Sequence, residues 1–149
     1  MKPFQCGQLW LVNFNPSVGH EYQKIRPALV IQQNRYIPQS NLLTIIPLSS
    51  QTVKSVACDF LIPKDTQNRL MKDSLLKIFQ ISSFDKSRFI KYIGHLNTPL
   101  MKQVDTQIQQ SLFGKASDTT NVSSTPSSTP LPGSQNSQQQ EKKEEDTSR

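Results

Sequence analysis

The chain has 149 residues and a formal net charge of +6, and only 34% of its residues are apolar. That apolar share is below the usual value, so part of the chain is expected to lie outside a packed core. No apolar run approaches the length of a bilayer-spanning helix, and the N-terminus does not resemble a signal peptide. Two cysteines, Cys6 and Cys58, are too few for a disulfide scaffold, and His20 and His95 are too far apart in sequence to indicate zinc. The sequence predicts a cytoplasmic protein that uses no metal and no other cofactor.

The composition changes near Lys115. Residues 1–115 contain 14 Lys and Arg against 6 Asp and Glu, so this part is strongly basic. Residues 116–149 contain only three apolar residues and are rich in Ser, Thr, Gln and Pro before a charged end. A segment of this composition cannot bury a core. We therefore predict a folded domain at 1–115 that binds an anionic partner, nucleic acid being the commonest, and a disordered tail at 116–149.

Six short segments of the domain carry strand signals, because they are rich in apolar, β-branched and aromatic residues and are bounded by turn formers. They cover residues 8–14, 28–31, 42–48, 57–62, 75–81 and 89–93. The continuous apolar run at 28–31 is typical of a strand that is buried on both faces. Pro47 indicates a bulge or a sheet edge. Six strands at this spacing predict a mainly β fold, either a small barrel or a curled sheet.

One helix is predicted after the last strand. Thr98 is a suitable N-cap, Pro99 suits the first helical position, and Gly114 suits the end. Apolar residues recur every four positions, at Leu100, Val104, Ile108 and Leu112. This stripe predicts that the helix packs across an open end or face of the barrel.

Two polar clusters lie at strand ends. The first, in the loop between the first two predicted strands, combines an imidazole with two cations: His20, Lys24 and Arg26. Arg26 precedes Pro27 and is therefore expected in extended backbone. The second cluster follows the third strand and could hydrogen-bond to a phosphate: Ser49, Ser50 and Gln51. Taken alone, each cluster fits ordinary surface ion pairs or turn chemistry equally well.

A specific combination of motifs opens the chain: GQLWLVNFNP at residues 7–16, GHE at 19–21 and RPALVI at 26–31. This combination resembles the opening of the MazF/PemK family of toxins. The resemblance continues through IPLSSQ at 46–51, DSLL at 73–76 and FDKSR at 84–88, and covers about residues 5–113. It implies an SH3-like barrel of five to six curled antiparallel strands with a C-terminal helix.

The resemblance also implies a function, because members of this family are the endoribonuclease toxins of type II toxin–antitoxin systems. They are homodimers that bind single-stranded RNA in a groove spanning both subunits and cleave it without metal, through attack by the ribose 2′-OH. A separate acidic antitoxin protein blocks the groove, which suits a basic toxin domain. The toxin–antitoxin complex is expected to bind operator DNA through the antitoxin, and no membrane is involved.

The same resemblance assigns roles to individual residues. Arg26 matches the family's arginine before proline and is expected to stabilise charge on the phosphate, for which its planar fork is suited. Ser49 is the expected hydrogen-bond donor to the scissile phosphate, and His20 the expected base or acid. The expected RNA-binding residues are Lys24, Ser50, Gln51, Lys77, Phe79 and Gln80.

One position departs from the family pattern. PemK-like members carry an arginine and an aspartate two positions apart on the fifth strand, where this chain has Lys77 and Phe79. Phenylalanine cannot take a proton, so His20 or a nearby carboxylate such as Asp73 or Glu21 must replace the aspartate. Otherwise the chain is a weak or inactive member that binds RNA or an antitoxin, with Phe79 stacking on a base. A third alternative is a toxin on a similar barrel that poisons DNA gyrase, and the GHE and RP motifs disfavour it.

Overall fold

The computed structural model describes residues 2–15 and 24–114. Within these ranges, seven strands and one α-helix follow in chain order: β1 (Gln8–Asn13), β2 (Ile25–Val30), β3 (Leu42–Ser49), β4 (Phe60–Ile62), β5 (Ser74–Leu76), β6 (Ser82–Asp85), β7 (Phe89–His95) and α1 (Thr98–Ile108). A single π-helical turn occupies Gln109–Phe113. The chain divides into two units, Met1–Leu112 and Phe113–Arg149. Of the second unit only Phe113 and Gly114 are described. The tail predicted at 116–149 lies outside the described residues.

All strand pairs are antiparallel, and the strand order is β4-β5-β3-β2-β1-β7, with β6 also pairing with β3. The predicted mainly β fold with a C-terminal helix is therefore confirmed. Within the described residues the pairing forms an open path whose two ends are β4 and β7, so the strands do not close into a ring.

The prediction of a fifth strand at residues 75–81 is wrong for its second half, after Leu76. β5 ends at Leu76, and Ile78–Gln80 form a 3-10 turn before β6 begins. β3 pairs with β6 up to Ile45 and with β5 from Leu48, so the interruption lies opposite Pro47. Proline has no N–H to donate to a ladder, which explains why the pairing breaks there. The sequence correctly indicated an irregularity at Pro47 but did not reveal β6 as a separate strand.

The central strands β1, β2 and β3 are buried on both faces, as the apolar run in β2 predicted. On one face lies the first core, whose buried members are Leu9, Leu29, Ile46, Leu48, Ile62, Leu70, Leu76, Ile78, Leu96 and Val104. On the other lies the second core, formed by Trp10, Val12, Phe14, Ala28, Val30, Ile37, Leu43, Ile45 and Phe89. Alternate residues of one strand enter different cores because successive side chains point to opposite faces.

The helix α1 covers the first core with the predicted apolar stripe. Val104 is fully buried there, and Leu100, Ile108 and Leu112 pack against the cluster. The N-cap is Asn97 and not Thr98: the Asn97 side-chain oxygen accepts a hydrogen bond from the Leu100 N–H at 2.8 Å. No helix among residues 2–15 and 24–114 is long and apolar enough to span a membrane.

Replacing Trp10 with alanine tests the second core. Trp10 is 1% exposed, and its indole N–H donates to the Gln8 side-chain oxygen at 2.8 Å. Its ring packs against Phe4, Phe89 and Tyr92. We expect Trp10→Ala to lower the free energy of unfolding by about 3–5 kcal/mol in denaturant titration. Val53→Ala is the control, because Val53 is 92% exposed; equal stability of the two variants would contradict this packing.

Candidate functional site

A cleft of about 530 Å³ opens beside the first core. Its floor is apolar, and its polar lining consists of four cations and three hydroxyl side chains. The apolar residues are Leu11, Pro27, Leu48, Leu70, Met71 and Ile93, and the polar ones are Arg26, Arg69, Lys72, Lys91, Ser50, Ser74 and Tyr92. This volume is in the ordinary range for ligand sites, about 300–1,000 Å³.

The floor follows from the sheet register. Leu11 of β1 faces Pro27 of β2 on one side and Lys91 of β7 on the other. These residues continue the face that carries Leu9 and the first core. Helix α1 contributes none of the residues that line the cleft. The cleft is therefore the part of this sheet face that the helix leaves uncovered.

Arg26 is the second residue of strand β2 and one of the residues that line the cleft. It pairs with Val12 of β1 and is half-buried, and Pro27 follows it in the strand. The extended backbone predicted from the Arg-Pro pair agrees with this position. The ladder with β1 holds the backbone of Arg26 in place at the edge of the cleft.

The turn at residues 65–69 forms another side of the cleft. The buried Asn68 organises it: its amide donates to the Pro63 carbonyl at 2.8 Å, and its oxygen accepts from the N–H groups of Asp65 and Leu70, each at 3.0 Å. Arg69 follows with a positive φ of 58°. The turn places Arg69 and the next residues along the cleft.

Gly94 of β7 allows this turn to approach the sheet. A Cβ atom at Gly94 would lie 2.5 Å from the Gln67 carbonyl oxygen and 2.6 Å from that of Asn68, which no other residue type can tolerate. The neighbouring His95 N–H donates to the Gln67 carbonyl at 3.1 Å. Glycine at this position is therefore a condition for the shape of the cleft.

The cleft is electropositive. No Asp or Glu of the described residues lines it, and Arg69, Lys72 and Lys91 form no ion pair with any carboxylate in this part of the chain. Asp73, one of the two carboxylates considered as a replacement base, accepts from the Lys64 N–H at 2.9 Å and does not line the cleft. The other, Glu21, lies outside the described residues.

The two serines at the end of β3 differ in their exposure to solvent. Ser50 is exposed and lines the cleft, whereas Ser49 is buried and its hydroxyl oxygen accepts from the Gln51 N–H at 3.2 Å. Gln51 is exposed beyond the cleft lining. The role predicted for Ser49 stays a prediction, and in this arrangement Ser50 is the hydroxyl that a ligand in the cleft would meet.

Lys77 lies in a buried ion pair. Its ammonium nitrogen is 2.5 Å from Asp59 Oδ2, and the two side chains are 13% and 1% exposed. The same carboxylate oxygen accepts from the Val56 N–H at 2.9 Å. The pair ties the segment before β4 to the end of β5, so the ammonium is already engaged and does not line the cleft where Arg26 lies.

The remaining predicted RNA-binding residues do not line the cleft either. Phe79 is 63% exposed on the turn between β5 and β6, so its ring is available for stacking. Gln80 is half-buried, and its N–H closes the same turn by donating to the Lys77 carbonyl at 2.9 Å. Lys24 is exposed just before β2. His20 lies outside the described residues.

The two ends of the β1–β2 loop are fastened together. The Lys24 N–H donates to the Asn15 side-chain oxygen at 2.8 Å, and the Lys24 carbonyl accepts from the Phe14 N–H at 3.0 Å. Arg88 donates to the carbonyls of Asn13 and Asn15 from the turn after β6. Asp85 caps that turn by accepting a hydrogen bond from the Ser87 N–H. This hydrogen bond lowers the pKa of the Asp85 carboxyl. These contacts determine where the chain leaves and re-enters the sheet beside Arg26.

Five polar residues of the lining were not predicted from the sequence: Arg69, Lys72, Lys91, Ser74 and Tyr92. The Asp65–Asn68 segment does carry a turn signal, and two cations follow it at Arg69 and Lys72. Nothing in the linear pattern indicates that this turn faces Arg26, because Gly94 brings the two together only in the folded chain.

The described residues contain no cluster of three or more His, Cys, Asp or Glu that could hold a metal.

Comparison with known proteins gives the family of the chain. Residues 5–112 match the family described as PemK-like, MazF-like toxin of type II toxin–antitoxin system. Since this match covers most of the chain, the protein belongs to that family. Endoribonuclease EndoA of Bacillus subtilis (strain 168) is 29% identical over 109 residues, which cover 71% of this chain and 91% of that protein.

Two solved structures share the fold. The crystal structure of MazF (Form-I) from Deinococcus radiodurans has a TM-score of 0.61 and 25% identity, with coverage of 74% of this chain and 96% of that one. An endoribonuclease in complex with its cognate antitoxin, from Mycobacterial species, has a TM-score of 0.60 at 13% identity, with coverage of 74% and 96%. The second likeness concerns the fold alone.

The position of Lys77 leads to a stability prediction. Lys77→Met leaves the Asp59 carboxylate buried without its cation, so we expect a loss of about 3–5 kcal/mol in the free energy of unfolding. Replacing both partners by apolar residues, in Lys77→Met with Asp59→Leu, should recover much of that loss, as denaturant titration can measure. Lys102→Gln, on the exposed side of α1, is the neutral control. Unchanged stability with weakened RNA binding in Lys77→Met would instead support the RNA contact.

Proposed function

We propose that the protein is an endoribonuclease toxin that binds single-stranded RNA in the cleft around Arg26 and cleaves it without a metal ion. The observation that carries this proposal is the cleft itself, in which four cations surround an apolar floor and no described carboxylate is present. Phosphates suit the cations and base faces suit the floor. Membership in the toxin family and similarity to an endoribonuclease support the same activity.

The proposed reaction uses the ribose 2′-OH as nucleophile on the adjacent phosphorus. A base takes the 2′-OH proton, the new P–O bond forms, the bond to the 5′ oxygen breaks, and an acid protonates that oxygen. The products are a 2′,3′-cyclic phosphate and a free 5′-OH. Arg26 stabilises the charge that develops on the phosphoryl oxygens, because its fork can donate two hydrogen bonds to one phosphate.

We assign the proton transfer to His20, in the loop whose ends are fastened at Asn15 and Lys24. An imidazole titrates near neutral pH and can act as base or acid. Ser49 keeps its proposed role as donor to the phosphate, with Ser50 as the hydroxyl that lines the cleft. Lys24, Gln51, Phe79 and Gln80 remain proposed RNA contacts outside the cleft.

A member that binds RNA without cleaving it is the second candidate. Phe79 occupies the position of the family's aspartate, and no carboxylate of the described residues lines the cleft. Both observations favour a site that lacks the group needed to take the proton from the ribose 2′-OH. Because binding needs only the cations and the floor, it would persist in such a protein.

The proposed partners follow from the same charges. A separate acidic antitoxin would occupy the cationic cleft and block RNA, and one protein of similar fold is described as an endoribonuclease in complex with its cognate antitoxin. We propose that the toxin acts as a cytoplasmic homodimer, and that its complex with the antitoxin binds operator DNA through the antitoxin. Light scattering on the purified chain measures the dimer directly.

Cleavage of an unstructured RNA in the presence of EDTA tests the activity, the metal independence and the role of Arg26 together. We expect discrete cuts with 5′-OH ends from the wild type. Arg26→Ala should lose cleavage while its unfolding midpoint stays close to that of the wild type. Arg35→Ala, an exposed arginine outside the cleft, is the matched control. Intact RNA that still binds the wild type would favour the non-cleaving candidate, and full cleavage by Arg26→Ala would remove Arg26 from the mechanism.

Removal of residues 116–149 tests the proposed domain boundary. All buried residues of both cores lie between Leu9 and Val104. We therefore expect the truncated chain to match the full chain in unfolding midpoint and in rate of RNA cleavage. A large loss of either would show that the folded domain extends beyond residue 115.

A further inference from the structure

The wall of the cleft formed by Arg69, Lys72 and Lys91 has a distinct place in the fold. Arg26 enters from β2, whereas Lys91 belongs to β7 and β1 lies between these two strands. Neighbouring strands are about 4.8 Å apart, so the backbones that carry these two cations are separated by about 10 Å. Lys91 pairs with Leu11 of β1, and Arg26 pairs with the next residue of that strand, Val12. Cations separated in this way can contact different groups of an extended ligand.

Arg69 is held in a conformation that its residue type disfavours. Its φ is 58°, in the left-handed region where glycine is the favoured residue. The Asn68 hydrogen bonds and the contact of the turn with Gly94 hold the backbone there. The Arg69 side chain is exposed, so burial does not account for an arginine at this position.

No described carboxylate balances this wall. Arg69, Lys72 and Lys91 have no ion-pair partner within the described ranges, in contrast to Lys77, whose ammonium is engaged by Asp59. Three cations that converge on one cleft repel one another, and a polyanion would relieve that repulsion. Next to them lie Leu11, Leu70 and Met71, a surface that suits the flat face of a base.

We propose that Arg69, Lys72 and Lys91 form a second phosphate-binding wall, which binds backbone phosphates flanking the one at Arg26 while the intervening base lies on the apolar floor. This assignment rests on the proposed function for its ligand, a single-stranded nucleic acid. The wall positions the strand and takes no part in proton transfer. Its loss weakens strand binding and lowers cleavage through that binding.

The experiment uses a labelled single-stranded DNA, which has the phosphates and bases but lacks the 2′-OH and is not cleaved. Its affinity for the full chain is measured by fluorescence anisotropy at several salt concentrations. Arg69→Gly removes the cation and places a residue suited to φ 58° in the turn, so the unfolding midpoint should be unchanged or higher. Arg69→Lys keeps the charge, and Lys72→Gln tests the neighbouring cation.

We expect Arg69→Gly and Lys72→Gln each to weaken binding roughly tenfold, with most of the affinity kept in Arg69→Lys. The slope of log affinity against log salt should fall by about 0.7 for each cation removed. Lys64→Gln is the matched control, because Lys64 is exposed on the same connection and does not line the cleft. Wild-type affinity in both Arg69→Gly and Lys72→Gln would overturn the proposal.

Two parallel measurements separate this proposal from the proposed function. If the wild type fails to cleave RNA but the variants lose DNA affinity as expected, the enzyme assignment fails and the phosphate wall stands. If RNA cleavage and DNA affinity are unchanged in the variants, the wall is wrong and the enzyme assignment stands. A poly-glutamate peptide is the third probe: loss of its binding in the variants, with DNA affinity unchanged, would assign the wall to an acidic protein partner and overturn the proposal.

Discussion

Burial of the central strands on both faces is the constraint on which the rest of the structure depends. β1, β2 and β3 send alternate residues into two different cores, so both faces of the sheet must be covered. The aromatic cluster around Trp10 covers one face, and α1 covers part of the other. An α-helix of 11 residues extends only about 16 Å, and the sheet face continues beyond it. The uncovered part, at Leu11 and Pro27, becomes the floor of the cleft.

The basic residues of this protein lie in two different environments, although they look alike in the sequence. Lys77 is buried against Asp59 and holds the segment before β4 on the end of β5. Arg26, Arg69, Lys72 and Lys91 instead converge on one cleft without a described carboxylate. A positive net charge therefore indicates an anionic partner only through the second group. The ion pair of Lys77 with Asp59 is observed, whereas its predicted contact with RNA stays a prediction.

The two sides of the cleft depend on different kinds of local structure. Arg26 lies in a regular strand, where Pro27 and the neighbouring ladder determine its backbone. Arg69 lies in an irregular turn that is held by the buried Asn68 and by the absence of a side chain at Gly94. Local strain of this kind persists only where the surrounding structure enforces it, and it is common at functional sites. The turn that carries Arg69 therefore reaches the sheet through one glycine contact.

The sequence alone determined the central strands, the helix and the extended backbone at Arg26, because each depends on local patterns. Alternating or continuous apolar runs predicted β1, β2 and β3, and the four-residue stripe at Leu100 to Leu112 predicted the face of α1. The tertiary structure decided the break opposite Pro47, the burial of Lys77 by Asp59, and the second wall of the cleft. These features join residues 18 or more positions apart, such as Asp59 with Lys77 and Asn68 with Gly94. Periodicity reports which face a residue occupies, but only the packing of distant segments decides which residue it meets there.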